Sequence, residues 1–502
     1  MHITLTDYLD ETSEKFPDNI AYSDTKESFT FKSVREIARK TATAILDLTE
    51  SRSAVVVYMK KCAAVPVVFM GVSYAGCYYT PIDSQMPLDR VRLILDTLNP
   101  SAVIYDKTTK AKIEELGLSD KALSYDDIMG VDIDDAKLKA VRENASASDL
   151  LYVFFTSGST GVPKGVTISH LAAIDCMEWV CREYGLDENT KVCNEAPFYF
   201  DLSVIDVFIP LKSGGRSYFP PKSYFTFPVK VLQFIEENSI NFINWVPSAY
   251  CNVVNCNALE VCAPKCIKHA IFVGEVMPCR HLNVWRSYMP DTLFINGYGP
   301  TEATYCCMFY NITRDFSDEE VLPLGIPCEN TRIYLLNENN RQAAVNELGE
   351  ICITGPSLSF GYYNNPEKTD EAFVQNPLNS MWHDPMYRTG DLAFINEAGE
   401  MVFAGRKDFQ IKRLGYRIEL GEIENAITAV EGIETACCIF DQNTKDIIAV
   451  YTGSVAEESI MDILTEKIPA YMMPNKFICL QVMPMNLNGK IDRPALKKQY
   501  IG

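Results

Sequence analysis

The string Phe155-Thr156-Ser157-Gly158-Ser159-Thr160-Gly161-Val162-Pro163-Lys164-Gly165 follows directly on an apolar run that begins at Leu150. No other segment constrains the fold as much. Its glycines let backbone N–H groups turn toward an anion, its hydroxyls add donors, and its lysine offsets negative charge, so a strand feeding this loop reads as a phosphate cradle. The alternative for a bare glycine and serine string is a flexible surface turn. The nucleotide-kinase pattern G-x-x-x-x-G-K-[ST] fails: counting from Gly158, Pro163 stands at the second glycine and Gly165 at the magnesium-binding hydroxyl.

The flanking sequence predicts layers. Residues 29–48 form a turn entering an amphipathic helix, with Phe31, Val34, Ile37, Ala38, Ala42 and Ile45 on one face. Short apolar strands are expected at Ala54–Tyr58, Ala102–Tyr105, Leu150–Phe155 and Ile240–Trp245. Alternation of strand and helix argues for an α/β fold with mostly parallel sheets. The uncharged run Cys62 to Tyr79 is interrupted by Pro66, Gly71, Ser73 and Gly76, so it reads as a core helix feeding a strand and not as a membrane span. At 502 residues, 47% of them hydrophobic, the chain exceeds one core, and two or more domains with a cleft are expected. The texture changes near Gly405, which divides a large multi-layer domain, 1–405, from a small α+β domain, 406–502, with strands at Cys437–Phe440 and Ile447–Tyr451.

The net charge of −20 excludes nucleic acid and acidic membranes as partners, since both are bound mainly through basic side chains. Residues 406–502 hold 12 basic and 13 acidic groups, a net of −1, so −19 lies on 1–405. The seventeen cysteines are scattered and include the adjacent pairs Cys306/Cys307 and Cys437/Cys438, which suits buried thiols in a reducing cytosol. Cys251, Cys256, Cys262 and Cys266 lack the C-x-x-C spacing of zinc sites and read as core thiols. The N-terminus, with Asp7 and Asp10, has no signal-peptide pattern, so a cytoplasmic monomer is expected.

Further motifs follow in order: Asn296-Gly297-Tyr298-Gly299-Pro300-Thr301-Glu302, Gly349-Glu350-Ile351 with Gly361-Tyr362, Tyr387-Arg388-Thr389-Gly390-Asp391, Gly405-Arg406-Lys407-Asp408-Phe409-Gln410-Ile411-Lys412 and Asn488-Gly489-Lys490-Ile491-Asp492-Arg493. With the glycine-rich loop and Ala75-Gly76 before Pro81-Ile82-Asp83, this set resembles the AMP-forming adenylating enzymes: acyl-CoA synthetases, luciferases and nonribosomal peptide synthetase adenylation domains. The resemblance implies that a carboxylate attacks the α-phosphate of ATP with release of pyrophosphate, and that the acyl group then passes to a thiol. Joining two anions calls for charge compensation and alignment more than for a general base, and none of the five histidines lies in a motif.

By that resemblance ATP is held by Thr156, Ser157, Gly158, Ser159, Thr160, Gly161 and Lys164, with Tyr298, between Gly297 and Gly299, stacked on adenine. Asp391 and Arg406 meet the ribose, Thr301 the α-phosphate, and Glu302 the Mg2+ that bridges phosphates, a hard cation suited to one or two carboxylates. Lys490 is the catalytic lysine that joins substrate carboxylate and α-phosphate, carried by a mobile C-terminal domain turning about Asp408. Lys412 and Gly415 are expected to face the cleft in the thiol-transfer arrangement.

Phe200-Asp201-Leu202-Ser203-Val204-Ile205-Asp206 resembles the amino-acid branch, in which the first aspartate holds the α-ammonium. Asp201 also suits a helix N-cap. The rest of the pocket is expected from Leu202, Ile205, Trp245, Ile271, Val273, Gly297, Tyr305 and Cys306, which offers no charge and favours alanine, glycine, serine or cysteine. Asn194 to Phe198, Gly274-Glu275-Val276 and Tyr471-Met472-Met473-Pro474 resemble free-standing ligases of the D-alanine:D-alanyl carrier protein type. Val273 and Trp245 depart from that type, and the identity and chirality of the amino acid stay open. Gly502 follows Lys490 closely, so the phosphopantetheine thiol is expected from a separate carrier protein. An acyl- or aryl-CoA ligase is the alternative. Arg406, Lys407, Lys412, Arg413 and Arg417 form a basic segment expected to dock an acidic carrier.

Overall fold

A computed structural model describes residues 2–158, 161–486 and 491–501. Two compact units result, Met1–Ser84 with Leu98–Phe154 and Gly165–Gly405, and Gln85–Thr97 with Phe155–Lys164 and Arg406–Gly502. The glycine-rich loop thus belongs to the second unit.

Among the described residues the first unit contains a nine-stranded sheet. Its centre is parallel, in the order Ile20–Ser23, Arg216–Tyr218, Lys191–Asn194, Phe242–Trp245, His269–Val273 and Leu293–Tyr298. A second sheet runs in parallel pairs through Ala122–Ser124, Ala102–Tyr105, Ala54–Tyr58, Tyr78–Pro81 and Leu150–Thr156. The predicted helix is present at Phe31–Leu48, with Thr30 capping Ser33 N–H. Cys62 to Tyr79 folds as the helix Ala64–Tyr74 followed by the strand Tyr78–Pro81, and no helix among the described residues is long and apolar enough to cross a membrane. The α/β class with mostly parallel sheets is the one the sequence predicts.

The nine-stranded sheet is buried on both faces, as parallel sheets are. On one face Val192, Phe242, Ile271, Val273 and Ile295 pack with Leu202, Ile205, Tyr305 and Cys306. The other face sends Cys193, Ile243, Trp245, Ala270, Phe272 and Phe294 into a second core with Tyr250, Leu282 and Trp285. Trp245 therefore does not line the predicted pocket. Strand residues alternate faces, and its indole N–H donates to Cys193 O at 3.1 Å within the second core. The four cysteines at 251–266 gather no metal-like cluster, and all seventeen thiols are free.

In the second unit the strand Ile433–Phe440 pairs antiparallel with Ile447–Gly453, which pairs parallel with Lys476–Leu480. Ile423, Ile427 and Leu464 cover one face and Leu496 the other.

Two substitutions probe this packing. A Cβ at Gly71 would lie 2.4 Å from Thr41 Cβ and 3.0 Å from Ala38 O, so Gly71→Ala should overpack the crossing of Phe31–Leu48 with Ala64–Tyr74 and cost about 1–3 kcal/mol in denaturant unfolding. Trp245→Ala should cost about 3–5 kcal/mol through the cavity it leaves. Because Trp245 faces the second core, the variant's order of substrate preference should match the parent's at a temperature where both are folded.

Candidate active site

The pocket is built from strand ends in the first unit. Register places Asn194, Asn244, Ile271 and Ile295 in one row across the sheet. Beyond that row, a Cβ on Gly297 would lie 2.6 Å from Val273 Cγ2, 3.2 Å from Cys306 Sγ and 3.8 Å from Ile271 Cγ2. Those three side chains converge, and glycine keeps the space between them open. Leu202 and Ile205 enter the same core from the start of the helix Ser203–Ser213. Asp201 is buried beside them, but the cap position falls to Leu202, with no side-chain cap bond. The cap position is thus displaced by one residue from the expected Asp201 to Leu202.

Tyr305 closes this side. Thr304 and Tyr305 both take left-handed backbone angles, φ 53° and 74°, rare for residues with a Cβ and typical of strained functional turns. Thr304 Oγ1 donates to Ser357 O at 2.6 Å, which holds the turn, and the phenol of Tyr305 donates to Asn244 Oδ1 at 2.8 Å. Asn244 stands where the sequence reading placed Trp245.

Behind Asn244 is a buried acid that the sequence reading left unassigned. Asp206 accepts from Asn194 Nδ2 at 2.8 Å and from Asn244 Nδ2 at 3.3 Å. Burial pushes its carboxyl up to about 8, against the pull of the two amides and of Lys61. Burial likewise brings Lys61 down to about 8, opposed by Glu195 and Asp206, while its ammonium donates to Glu195 O and Ala196 O, both at 2.9 Å. One signal was available: Asp206 is the only charge in the apolar run Leu202–Leu211.

Of the predicted nucleotide residues of this unit, Tyr298 ends the strand Leu293–Tyr298 and Asp391 lies within the strand Pro385–Ile395. Tyr298 donates to Asp391 Oδ2 at 2.6 Å, and both are buried. Burial, then the Asp391 charge, holds the Tyr298 phenol well above its usual range, so it stays a donor. Asp391 N–H donates to Thr389 Oγ1, and Gly390 N–H to Glu350 Oε1, a carboxylate also held by Arg388. Glu302 is fully buried on the turn Thr301–Ala303, and Tyr362 donates to its Oε1 at 2.7 Å.

The second unit holds the loop. A Cβ on Gly158 would lie 2.0 Å from Val162 O, so the turn closed by Gly161 N–H on Gly158 O requires glycine there. Ser157 Oγ donates to Arg417 O at 2.7 Å, and the Thr156 hydroxyl is buried without a partner. Glu422 pairs with Arg90, with both side chains buried, and burial raises its carboxyl against the pull of Arg90 and of the Gly158 amide. Arg406 grips Asp408 through two bonds, at 2.7 and 2.8 Å. Although burial acts the other way, that guanidinium holds the Asp408 carboxyl below its usual range. Lys412 lies on the hairpin of Gln410–Arg413 with Tyr416–Glu419, and Gly415 in its turn. Arg413, expected in a docking surface, spends its guanidinium on Lys445 O, Tyr471 O, Met473 O and Asn475 Oδ1. Ser159, Thr160 and Lys490 lie outside the described residues.

A model of the AMP-binding enzyme family matches residues 9–363. Tyrocidine synthase 1 of Brevibacillus parabrevis is 31% identical over 97% of this chain, which spans 44% of that relative's length. Zwittermicin A synthase ZmaJ of Bacillus cereus is 30% identical, over 97% of this chain and 93% of its own. A double mutant of o-succinylbenzoate CoA synthetase from Bacillus subtilis superposes with a TM-score of 0.85 at 18% identity, covering 98% of each chain. An artificially fused adenylation–PCP di-domain from Klebsiella oxytoca gives 0.79 at 20% identity, covering 95% of this chain and 94% of its own. These two structures establish likeness of fold. The family match spans most of the sequence and ZmaJ aligns over nearly its full length, so the chain belongs to the AMP-binding enzyme family.

Proposed function

We propose that the protein activates a small, uncharged amino acid as its aminoacyl-adenylate, releasing pyrophosphate from ATP, and passes the aminoacyl group to the phosphopantetheine thiol of a separate carrier protein in the cytoplasm. One observation carries the amino-acid reading: a carboxylate, Asp201, is buried next in sequence to Leu202 of the apolar core. A cationic α-ammonium is compatible with a buried carboxylate beside it, where a plain acid would add a second negative charge. The bulk of Tyr305 favours alanine, glycine, serine or cysteine, and the likeness to free-standing ligases of the D-alanine type belongs to the same reading. The likeness to a nonribosomal peptide adenylation–PCP protein supports a carrier as acceptor.

In this reading Asp391 accepts from the ribose hydroxyls while Tyr298 fixes its orientation, and Arg406 adds a donor to the sugar. Thr156, Ser157, Gly158, Ser159, Thr160, Gly161 and Lys164 hold phosphate oxygens. The hydroxyl of Thr156, buried without a partner among the described residues, suits that task. Thr301 meets the α-phosphate. Glu302 fits Mg2+ as a single hard carboxylate fixed by Tyr362, and the ion would neutralise charge on the phosphates. Lys490 brings a point charge to the substrate carboxylate and α-phosphate as they combine. Asp408, with Lys412 and Gly415 beyond it, serves as the hinge between adenylation and transfer.

Amino-acid-dependent ATP–pyrophosphate exchange tests this directly. Glycine and the L- and D-forms of alanine, serine and cysteine should support exchange while their deaminated analogues do not. Exchange with aryl or acyl acids alone would replace this reading by a CoA ligase. Lys490→Ala should lower the exchange rate by about two to three orders of magnitude with unchanged thermal unfolding, and exchange near the parent's rate would remove Lys490 from the adenylation step.

A further inference from the structure

Three of the four hydrogen bonds open to the Asn244 side chain are made by its neighbours. Its Nδ2 faces two acceptors, Leu202 O at 3.0 Å and Asp206 Oδ1 at 3.3 Å, which turns its Oδ1 toward the phenol of Tyr305 at 2.8 Å. Asp206 is fixed in turn by Asn194 Nδ2 on its Oδ2, and its main-chain oxygen by the Ser217 hydroxyl. Asn194, Asp206 and Asn244 have no exposed surface, and Tyr305 has 2%. No water competes for these bonds, and each link constrains the next.

The chain ends on the residue with the least freedom to adjust. Tyr305 follows Thr304 through two consecutive left-handed conformations, so its backbone is fixed from one end while its hydroxyl is fixed from the other. Its ring packs in the same core as Ile271, Val273, Cys306, Leu202 and Ile205. Tyr305 directly precedes Cys306, one of the side chains that converge on Gly297, so whether its ring can swing aside bears on how long a side chain this core can admit.

We propose that the buried series Asn194–Asp206–Asn244 locks the phenol of Tyr305 as the floor of the substrate pocket, making Tyr305 the residue that limits side-chain length and Asn244 and Asp206 positioning residues one layer behind it. The ligand class this defines is an α-amino acid with a side chain of at most one or two heavy atoms. The inference rests on the amino-acid reading above. It goes further in assigning size selection to a hydrogen-bonded relay and not to the apolar lining.

The test uses the full chain in pyrophosphate exchange with glycine, alanine and serine against leucine and phenylalanine, for the parent, Tyr305→Phe, Asn244→Ala and Asp206→Asn, with thermal unfolding followed in parallel. Tyr305→Phe removes one oxygen and keeps the ring. It should raise KM for the preferred small amino acid at least tenfold and raise kcat/KM for leucine, while KM for ATP stays within twofold. Asn244→Ala should shift the leucine-to-alanine ratio further in the same direction, and Asp206→Asn, which keeps the shape and one acceptor for Asn244 while its new donor can be met by the Asn194 oxygen once that amide turns over, should retain most of the parent's selectivity. A purely structural role would lower the unfolding temperature without moving the ratio, and an unchanged ratio in folded Tyr305→Phe would overturn the proposal even if Asn244→Ala fails to fold. If the parent exchanges only deaminated acids, the amino-acid reading falls. The same variants assayed on propionate against 4-methylpentanoate then decide the relay on its own.

Discussion

Burial of the nine-stranded sheet on both faces is the constraint on which the pocket depends. A strand with one wet face can slip or turn with modest penalty. A strand covered on both sides cannot, because a shift of one residue exchanges every side chain between two filled cores. Phe242 on one face, with Ile243 and Trp245 on the other, fix the phase of their strand. Asn244 is thereby committed to the pocket face, its partner Asn194 follows from the same register, and Asp206 meets both from the helix Ser203–Ser213. The polar relay is tolerable in so dry a place because its members are neighbours across a rigid sheet and hydrogen-bond one another.

A different logic governs the second unit. Burial pushes the Glu422 carboxyl up, and Arg90, then the Gly158 amide, pull against it. Burying such a pair is costly in desolvation and pays only when hydrogen bonds accompany the Coulomb attraction. The loop's amide thus acts on nearby negative charge as a phosphate cradle would, by favouring the ionised form. Arg406 and Asp408 repeat the pattern at shorter range, which places a bidentate ion pair at the predicted hinge.

Much of the fold was legible because hydrophobic periodicity records it. The helix Phe31–Leu48, the strands Ala54–Tyr58 and Ala102–Tyr105, and the helix-to-strand reading of Cys62–Tyr79 all rest on patterns of three or more apolar residues. The loop was legible because few sequences combine its glycines, hydroxyls and lysine. The pocket wall was harder. Asn244 and Trp245 are adjacent, and choosing between them needs the phase of a strand only four residues long, Phe242–Trp245, in which every position is buried. Alternation of polar and apolar residues, the usual guide to phase, is silent in such a strand. Asp206 was hidden for a related reason, since an acid within an apolar helix announces itself as an anomaly but does not name its partners.

The basic segment near the hinge shows how counted charge differs from usable charge. Arg406 is cancelled locally by Asp408, so it adds little to the field at a distance. Arg413 is held by four oxygens, all of them neutral acceptors, three on the main chain and one on Asn475. Hydrogen bonds to neutral oxygens fix a guanidinium without removing its charge, so Arg413 still contributes a full positive unit while losing the freedom to reach a partner. Steering depends on the summed field and not on free side chains, and a cation locked in place projects that field from a constant position. The hairpin that carries Lys412, Arg413 and Arg417 can therefore remain a positive landmark on a unit whose net charge is near zero, even though its best-ordered arginine makes its own contacts inward.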